Sequence, residues 1–423
     1  MRHIRKTIFT ILLMLACAPA LAGDEAVLSW QECVIEAAKA NPELAASLHV
    51  VEQRKAEKWV ETSPLLPQFT TEASISRVDN FSGTGRRDNN TYSVRGEQLL
   101  FDGFKAYSDF KSAEQALKAS EETYTVASSD IRYNLRKAFV ELLKSQTLVP
   151  ITAGIIERRK QNLGMIRLRY ESGREHEGSL LLAEADFAQA EYDHRKANRD
   201  ISVAQYELRK TMGWYDDRPI RAKGSFKLHK EVGAKPNLRK LAENHPIVQR
   251  SLAEKGAAKY ELKAAKAEFF PEFNAYAEAG KVRGGGFSNS SNGWLAGLSA
   301  SLPILEGGRR IANTDRARAK LMEAKSNEVS EYDTVLTGLE TAWQNLKDAV
   351  ELYRVRNKYL KADEVRAKIS RAQYANGLLI FDNWIIIEDN YVRSQKSNVE
   401  AEANMLIAEA EWIRAKGETL NYE

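Results

Sequence analysis

Cysteine is almost absent from this chain of 423 residues: it has two, and Cys17 lies in an N-terminal leader. A mature chain keeps Cys33 alone, which excludes an intrachain disulfide, a CxxC pair and a zinc-thiolate site. An excess of one charge is missing too. Lys and Arg number 62 against 58 Asp and Glu, a formal balance of +4, and loss of the leader removes Arg2, Arg5 and Lys6. What remains is too small to give nucleic-acid binding electrostatic support. After the leader no stretch is expected to reach the roughly 18 apolar residues of a membrane helix, because the best candidate, Leu378 to Ile387, is broken by Asp382 and Asn383. A chain of this kind enters a bilayer as strands or not at all.

The constellations of catalysis are lacking as well. The six histidines form no ligand pattern: His176-Glu177 has no second histidine one helical turn on, and His194 falls on a coiled-coil phase. There is no Gly-x-Ser-x-Gly, and Gly83-x-Gly85 runs into Arg86, Arg87 and Asp88 instead of a helix start. No catalytic residue, cofactor or metal is expected.

What is present begins with the leader. Its basic start, the apolar run Ile8 to Ala16 and the small residues around Ala20-Leu21-Ala22 describe a secretory signal peptide over residues 1–22. Cys17 as an acylated cysteine is the competing reading, though Met14-Leu15-Ala16 is a poor approach to one.

The mature chain then repeats itself. Pro42 finds a match in Pro246, 204 residues on, and the same offset carries Pro67 to Pro271, Gly103 to Gly307, Tyr170 to Tyr374, Gly173 to Gly377 and Gly213 to Gly417. The expected division is a first repeat over 23–213 (hairpin 69–101, long helices 104–212), a connector over 214–236, and a second repeat over 237–423 (hairpin 273–305, long helices 308–420). Pro219, Gly224, Gly233 and Pro236 suit the connector to a loop.

Each unit reads as helix, strand, turn, strand, very long helix, tight turn, long helix. Ser29 is placed to cap the first helix. Phe69 to Val78 and Tyr92 to Leu100 read as strands joined by the polar segment Asn80 to Asn90; Phe273 to Val282 and Trp294 to Leu302 are their counterparts. Along the helices apolar residues recur every seven: Phe110, Leu117, Tyr124, Ile131 and Ala138, then Ala183, Ala190, Ala197 and Ala204, then Leu339, Leu346, Tyr353 and Leu360. A helix from Phe104 to Tyr170 would reach roughly 100 Å at 1.5 Å per residue. Pro150 is expected to kink or break it, whereas Arg354 at the matching place lets the second long helix run on.

Four strands of about ten residues can each cross a bilayer, but an open four-stranded sheet cannot sit in lipid with unsatisfied edges. Copies must pool strands. Two copies would give a barrel filled by its own side chains, and three would leave a lumen. Alternation places Trp294, Ala296, Leu298, Ala300 and Leu302 on one face, and Phe69, Thr71, Ala73 and Ile75 on another, as lipid-facing residues. The alternative is a soluble sheet packed on helices.

Taken together, the leader, Asn41-Pro42-Glu43-Leu44, Leu66-Pro67-Gln68-Phe69, Leu100-Phe101-Asp102-Gly103, Leu302-Pro303-Ile304-Leu305-Glu306-Gly307-Gly308 and the two Tyr-x-x-Gly turns resemble the TolC-type outer-membrane efflux protein family over the whole mature chain. The resemblance implies a mainly α protein with β: long antiparallel helices forming an α-helical barrel, plus two two-stranded segments that contribute to a trimeric, 12-stranded outer-membrane barrel. It implies a homotrimer in outer-membrane lipid with a long periplasmic extension. Such a duct serves a tripartite efflux pump or a type I secretion system through a periplasmic adaptor and an inner-membrane transporter. Tyr170, Gly173, Tyr374 and Gly377 would then form the periplasmic tip that docks the adaptor, with the glycines allowing a left-handed reversal. An acidic ring beyond the second turn would close the tunnel. Six residues past Gly377 stands Asn383, so the ring would use Asp382, or Glu388 and Asp389 deeper in. An ordinary helix start, with Asp382 at the positive end of the dipole, accounts for these residues equally well. Two other classes stay open: a periplasmic coiled-coil adaptor or scaffold without a barrel, and a secreted enzyme whose site leaves no motif.

Overall fold

The computed structural model describes residues 25–79, 86–228, 233–284 and 287–421. The leader, Cys17 and residues 80–85 of the first hairpin loop lie outside them. Among the described residues the protein is mostly helical, with two sheets. A short strand β1 (Ala26–Ser29) leads into helices α1 (Trp30–Ala40) and α2 (Pro42–Thr62), strands β2 (Gln68–Asp79) and β3 (Arg86–Phe101), and helices α3 (Lys105–Glu171) and α4 (Glu177–Met212). After strand β4 (Ile220–Lys223) the order resumes with α5 (Leu238–Glu243), α6 (Pro246–Ala267), β5 (Glu272–Gly284), β6 (Phe287–Ser301), α7 (Arg309–Ala375) and α8 (Phe381–Ala415). The long helices α3 and α7 are both 67 residues, and both of their ends are 204 apart.

Local chemistry sets the helix starts. Ser29 and Glu32 form a reciprocal capping box at α1, the Glu32 carboxylate accepting from the Ser29 N–H at 2.7 Å. Asn41 caps α2: its Oδ1 accepts from the N–H groups of Glu43 (2.9 Å) and Leu44 (3.0 Å), with Pro42 in the first turn. His245 does the same for α6, its Nδ1 accepting from the Ile247 N–H at 3.2 Å ahead of Pro246.

The helix stops bring remote segments together. Gly213 ends α4 in the left-handed conformation, and a Cβ there would lie 2.1 Å from the Ala40 carbonyl oxygen. The Asn41 amide donates to the Thr211 carbonyl at 2.8 Å across the same joint. Gly417 after α8 abuts Pro246 in the same way, at 2.5 Å. Thus α4 and α2 stack end to end beside α3, and α8 and α6 stack end to end and pack against α7; α3 also packs on α6 and α8.

The seven-residue pattern is the packed seam. Ala183, Ala190, Ala197 and Ala204 are all buried, as are Ile131, Leu135, Ala138 and Leu142 on α3 and Leu339 and Leu346 on α7. Small side chains along α4 let its backbone approach α3 closely. Pro150 does not break α3 as expected; the helix runs unbroken through it. Near it, the single Thr152 hydroxyl turns back onto the Leu148 and Val149 carbonyls, both at 3.0 Å. By length and composition α3 also holds one window apolar enough to cross a membrane, which counting uninterrupted apolar residues missed. Part of the apolar content of α3 is spent on a packed core: Leu135, Phe139 and Leu142 are buried against Cys33, Ala37, Leu208 and Met212.

The segment between the repeats is no plain loop, because β4 within it pairs in parallel with β1. Ile220 and Ala222 of β4 join the core around Cys33, whose thiol is pushed up to about 12 by burial. Periodicity could not show a pair of four-residue strands.

The second sheet has the order β2-β3-β5-β6, antiparallel throughout. Its strands are longer than expected, 12, 16, 13 and 15 residues. β3 starts at Arg86, inside the segment read as a turn, because ladder pairing with β2 continues through polar residues. β6 ends at Ser301, so Leu302 stands one residue past the strand assigned to it.

Candidate functional site

Two regions carry the residues singled out in the sequence. At one end of the helices, α3 and α7 reverse into α4 and α8. Both reversals are built alike. The Gly173 N–H donates to the Tyr170 carbonyl and the Arg174 N–H to the Arg169 carbonyl, each at 2.8 Å; Gly377 donates to Tyr374 (3.0 Å) and Leu378 to Gln373 (2.8 Å). This double bond pattern closes a helix on a left-handed residue, and Gly173 and Gly377 have φ of 71° and 77°.

The matched tyrosines do not share an environment. Tyr170 is 39% exposed, Tyr374 only 1%. The Tyr374 ring stacks on Trp384 with centroids 4.3 Å apart and planes 8° from parallel, and meets Phe381 edge-on. Its hydroxyl donates to Glu175 Oε2 at 2.7 Å, its carbonyl accepts from Arg169 Nη1 at 2.8 Å, and the Arg169 guanidinium lies 4.5 Å from its ring centroid. Burial, then the Glu175 hydrogen bond, raise the phenol pKa above its ordinary value. The first turn thereby grips the end of the second long helix.

The gate candidates separate into two kinds. Asp382 and Asn383 are exposed in the first turn of α8. Glu388 is 2% exposed, and its two oxygens accept from Arg371 Nη2 at 3.0 and 3.1 Å. Asp389 pairs with Arg159 of α3, which also reaches Asp186 of α4 at 3.3 Å. Burial pushes the Asp186 carboxyl up, opposed by Arg159. Two turns further along, Lys396 of α8 pairs with Asp193 of α4. Sequence reading did not single out Arg169, Glu175 or Trp384, and it takes Arg159 with Arg158 and Lys160 for a solvated helix face, whereas Arg159 is buried among its carboxylate partners. Trp384, a large aromatic just past a tight turn, was the available signal; the others are charges indistinguishable in sequence from a solvated helix face.

The second region is the sheet. Its registers put Phe69, Thr71, Ala73 and Ile75 of β2 on one face with Tyr92, Val94 and Gly96 of β3, with Ala275, Ala277 and Ala279 of β5, and with Trp294, Ala296, Leu298 and Ala300 of β6. That face is apolar and open: Phe69, Ile75, Trp294 and Leu298 are exposed, Ile75 by 86%. Through Ala279 and Val94, Trp294 stands level with Thr71, two residues along the strand from Phe69, roughly 7 Å at 3.3 Å each. The opposite face carries Glu72, Glu97, Glu278, Arg95 and Tyr276; Arg95 reaches Glu97 at 3.3 Å and lies 5.0 Å from the Tyr276 ring centroid. A soluble sheet packed on helices would have its apolar face covered, and this one is not.

With that geometry in place the comparison with known proteins is direct. The profile of the outer membrane efflux protein family matches residues 34–214 and again residues 237–418. The chain belongs to that family. It is similar to the outer membrane efflux protein BepC of Brucella suis biovar 1 (strain 1330), 22% identical over 75% of this chain and 69% of that protein. It is also similar to the alkaline protease secretion protein AprF of Pseudomonas aeruginosa, 22% identical over 67% of this chain and 57% of AprF. Its fold resembles the outer membrane channel CmeC of Campylobacter jejuni, with a TM-score of 0.81 at 18% identity, covering 93% of this chain and 87% of CmeC. Membership makes this efflux protein an export channel of the outer membrane and sets aside the adaptor or scaffold reading.

Proposed function

We propose that three copies of this efflux protein assemble into one duct, with twelve pooled strands forming the barrel in the outer membrane and the pooled helices an α-helical tunnel across the periplasm. The observation that carries this is the four-stranded sheet, which shows one continuous apolar face and leaves β2 and β6 as open edges. An edge in hydrocarbon leaves backbone groups without partners at several kcal/mol each, and three copies are the smallest number that leaves a lumen. The two repeats, 23–213 and 237–423, each supply one hairpin and one pair of helical rods, joined by 214–236.

In this reading Tyr170, Gly173, Tyr374 and Gly377 mark the tip that docks a periplasmic adaptor and meets an inner-membrane transporter, as a tripartite pump or type I secretion system requires. Of the four gate candidates, Asp382 and Asn383 are free to line a constriction, since Glu388 and Asp389 are engaged by Arg371 and Arg159. Phe69, Ile75, Trp294 and Leu298 face lipid, with Leu302 just below them. The reading assigns the chain no chemical step, cofactor or metal.

Two measurements test it. The detergent-extracted protein is expected to have the mass of three chains, and a monomer would overturn the duct. In planar bilayers Tyr374→Phe combined with Asp382→Asn should raise single-channel conductance, because the tip loses its Glu175 bond and its exposed charge together. Unchanged conductance would remove the gate while leaving the duct.

A further inference from the structure

The open edges β2 and β6 come with a template for what fills them, because the repeat preserves pairing register as well as element order. In the first hairpin Gln68 faces Glu97 and Phe69 faces Gly96. In the second, Glu272 faces Ser301 and Phe273 faces Ala300. Each second-hairpin pair is the first-hairpin pair moved by 204 on both strands. Between the hairpins β3 meets β5, the closing strand of one unit against the opening strand of the next: Tyr92 faces Lys281, Val94 faces Ala279 and Gly96 faces Ala277. Moving Tyr92 forward by the repeat gives Ala296, and moving Lys281 back gives Arg77.

We infer that β6 of one copy pairs antiparallel with β2 of the next in the register of the β3–β5 seam, residues 296–301 against 77–72, so that Leu298 meets Ile75 of the neighbouring copy and Ala300 meets its Ala73. This rests on the three-copy reading above and adds to it a residue-by-residue interface. The chemistry of the two faces agrees with it independently. Leu298, Ala300, Ile75 and Ala73 all lie on the apolar face, so the outer band runs across the junction without a polar break. On the other face Ser299 meets Ser74 and Gly297 meets Ser76. A slip of one residue would set Leu298 opposite Ser74 and turn one strand inside out relative to the other. A slip of two keeps the faces but makes the junction between copies unlike the junction within one.

Paired cysteines test the register. Opposed residues on antiparallel strands have Cα atoms about 4.5–5.5 Å apart, within the roughly 4.4–6.8 Å that a disulfide spans, whereas a two-residue slip moves them by about 7 Å. Cys33 is buried and out of reach of a mild oxidant. Full-length Ala73→Cys/Ala300→Cys, oxidised in outer membranes, should run as a covalent trimer on a non-reducing gel, while Thr71→Cys/Ala300→Cys and Ile75→Cys/Ala300→Cys should stay monomeric. The detergent mass of each variant before oxidation separates the two ideas. Trimers that cross-link only in an off-register pair, or in none of the three, overturn the register and leave the assembly standing. An Ala73→Cys single variant found as a monomer overturns the assembly, and the register with it.

Discussion

The two helix reversals are alike in backbone and unlike in surroundings. Gly173 and Gly377 have φ within a few degrees of each other, and each turn closes with the same pair of hydrogen bonds. Yet Tyr170 stands in the open while Tyr374 is enclosed by Trp384, Phe381, Arg169 and Glu175. A local motif sets the path of its own chain; whether its side chain is covered depends on which neighbour the tertiary fold brings. Here the first turn covers the second, and among the described residues nothing covers the first in the same way.

The largest expected difference comes from truncating the tyrosines. Tyr374→Ala removes a stacked, buried ring and leaves Glu175 Oε2 without its donor, the Ser179 hydroxyl remaining on Oε1. The loss should be about 3–5 kcal/mol of local stability, the range for large aromatic truncations. Tyr170→Ala should cost no more than about 0.5–1 kcal/mol. Hydrogen exchange of the amides around each reversal measures both, and equal losses would abolish the contrast. The glycines should behave in the opposite manner. Neither Gly173 nor Gly377 has an atom within 4 Å of an added Cβ, so Gly→Ala at either should cost only the left-handed strain, about 1–2 kcal/mol, and the two costs should match. A mismatch would mean that the fold, and not the turn, sets the penalty.

The smallest effect is in pH. Tyr374 has a raised pKa in the folded state, so its neutral phenol contributes stability that is complete below the ordinary value of 10.0 and is lost as pH rises beyond it. The second reversal should loosen above about pH 10 more than the first. Tyr374→Phe should remove that excess and cost about 1 kcal/mol at neutral pH for the lost hydrogen bond. Exchange rates at the two turns across pH 8–11 would show it, and a Phe variant with undiminished pH sensitivity would assign the effect elsewhere.

Much of the architecture was readable because it is repeated. An offset taken from a few prolines and glycines carries one 67-residue helix onto the other at both ends, each end of the first lying one residue beyond where the sequence puts it, since caps and left-handed stops are local chemistry. The buried alanines of α4 were readable because a packed seam imposes a period. What escaped depends on partners distant in sequence. β1 and β4 are too short to show a pattern and exist by pairing with each other. α3 runs on past Pro150 while packed against α4, α6 and α8, and a rule that considers the proline alone cannot include those neighbours. Glu388 and Asp382 are both acids near one turn; only the fold sets Arg371 against the first and leaves the second exposed.

The joints at Gly213 and Gly417 have a mechanical meaning. A continuous α-helix transmits angular phase along its length, about 100° per residue, so twisting one end commits the other. Each 67-residue rod does this, but the rod beside it is spliced from two pieces that touch without a shared backbone ladder, 36 residues against 21 in one repeat and 35 against 22 in the other. Rotation of the lower piece about its own axis therefore stops at the splice. Within each coil only the spliced partner is relieved of that constraint; the continuous rod beside it still carries phase from one end to the other.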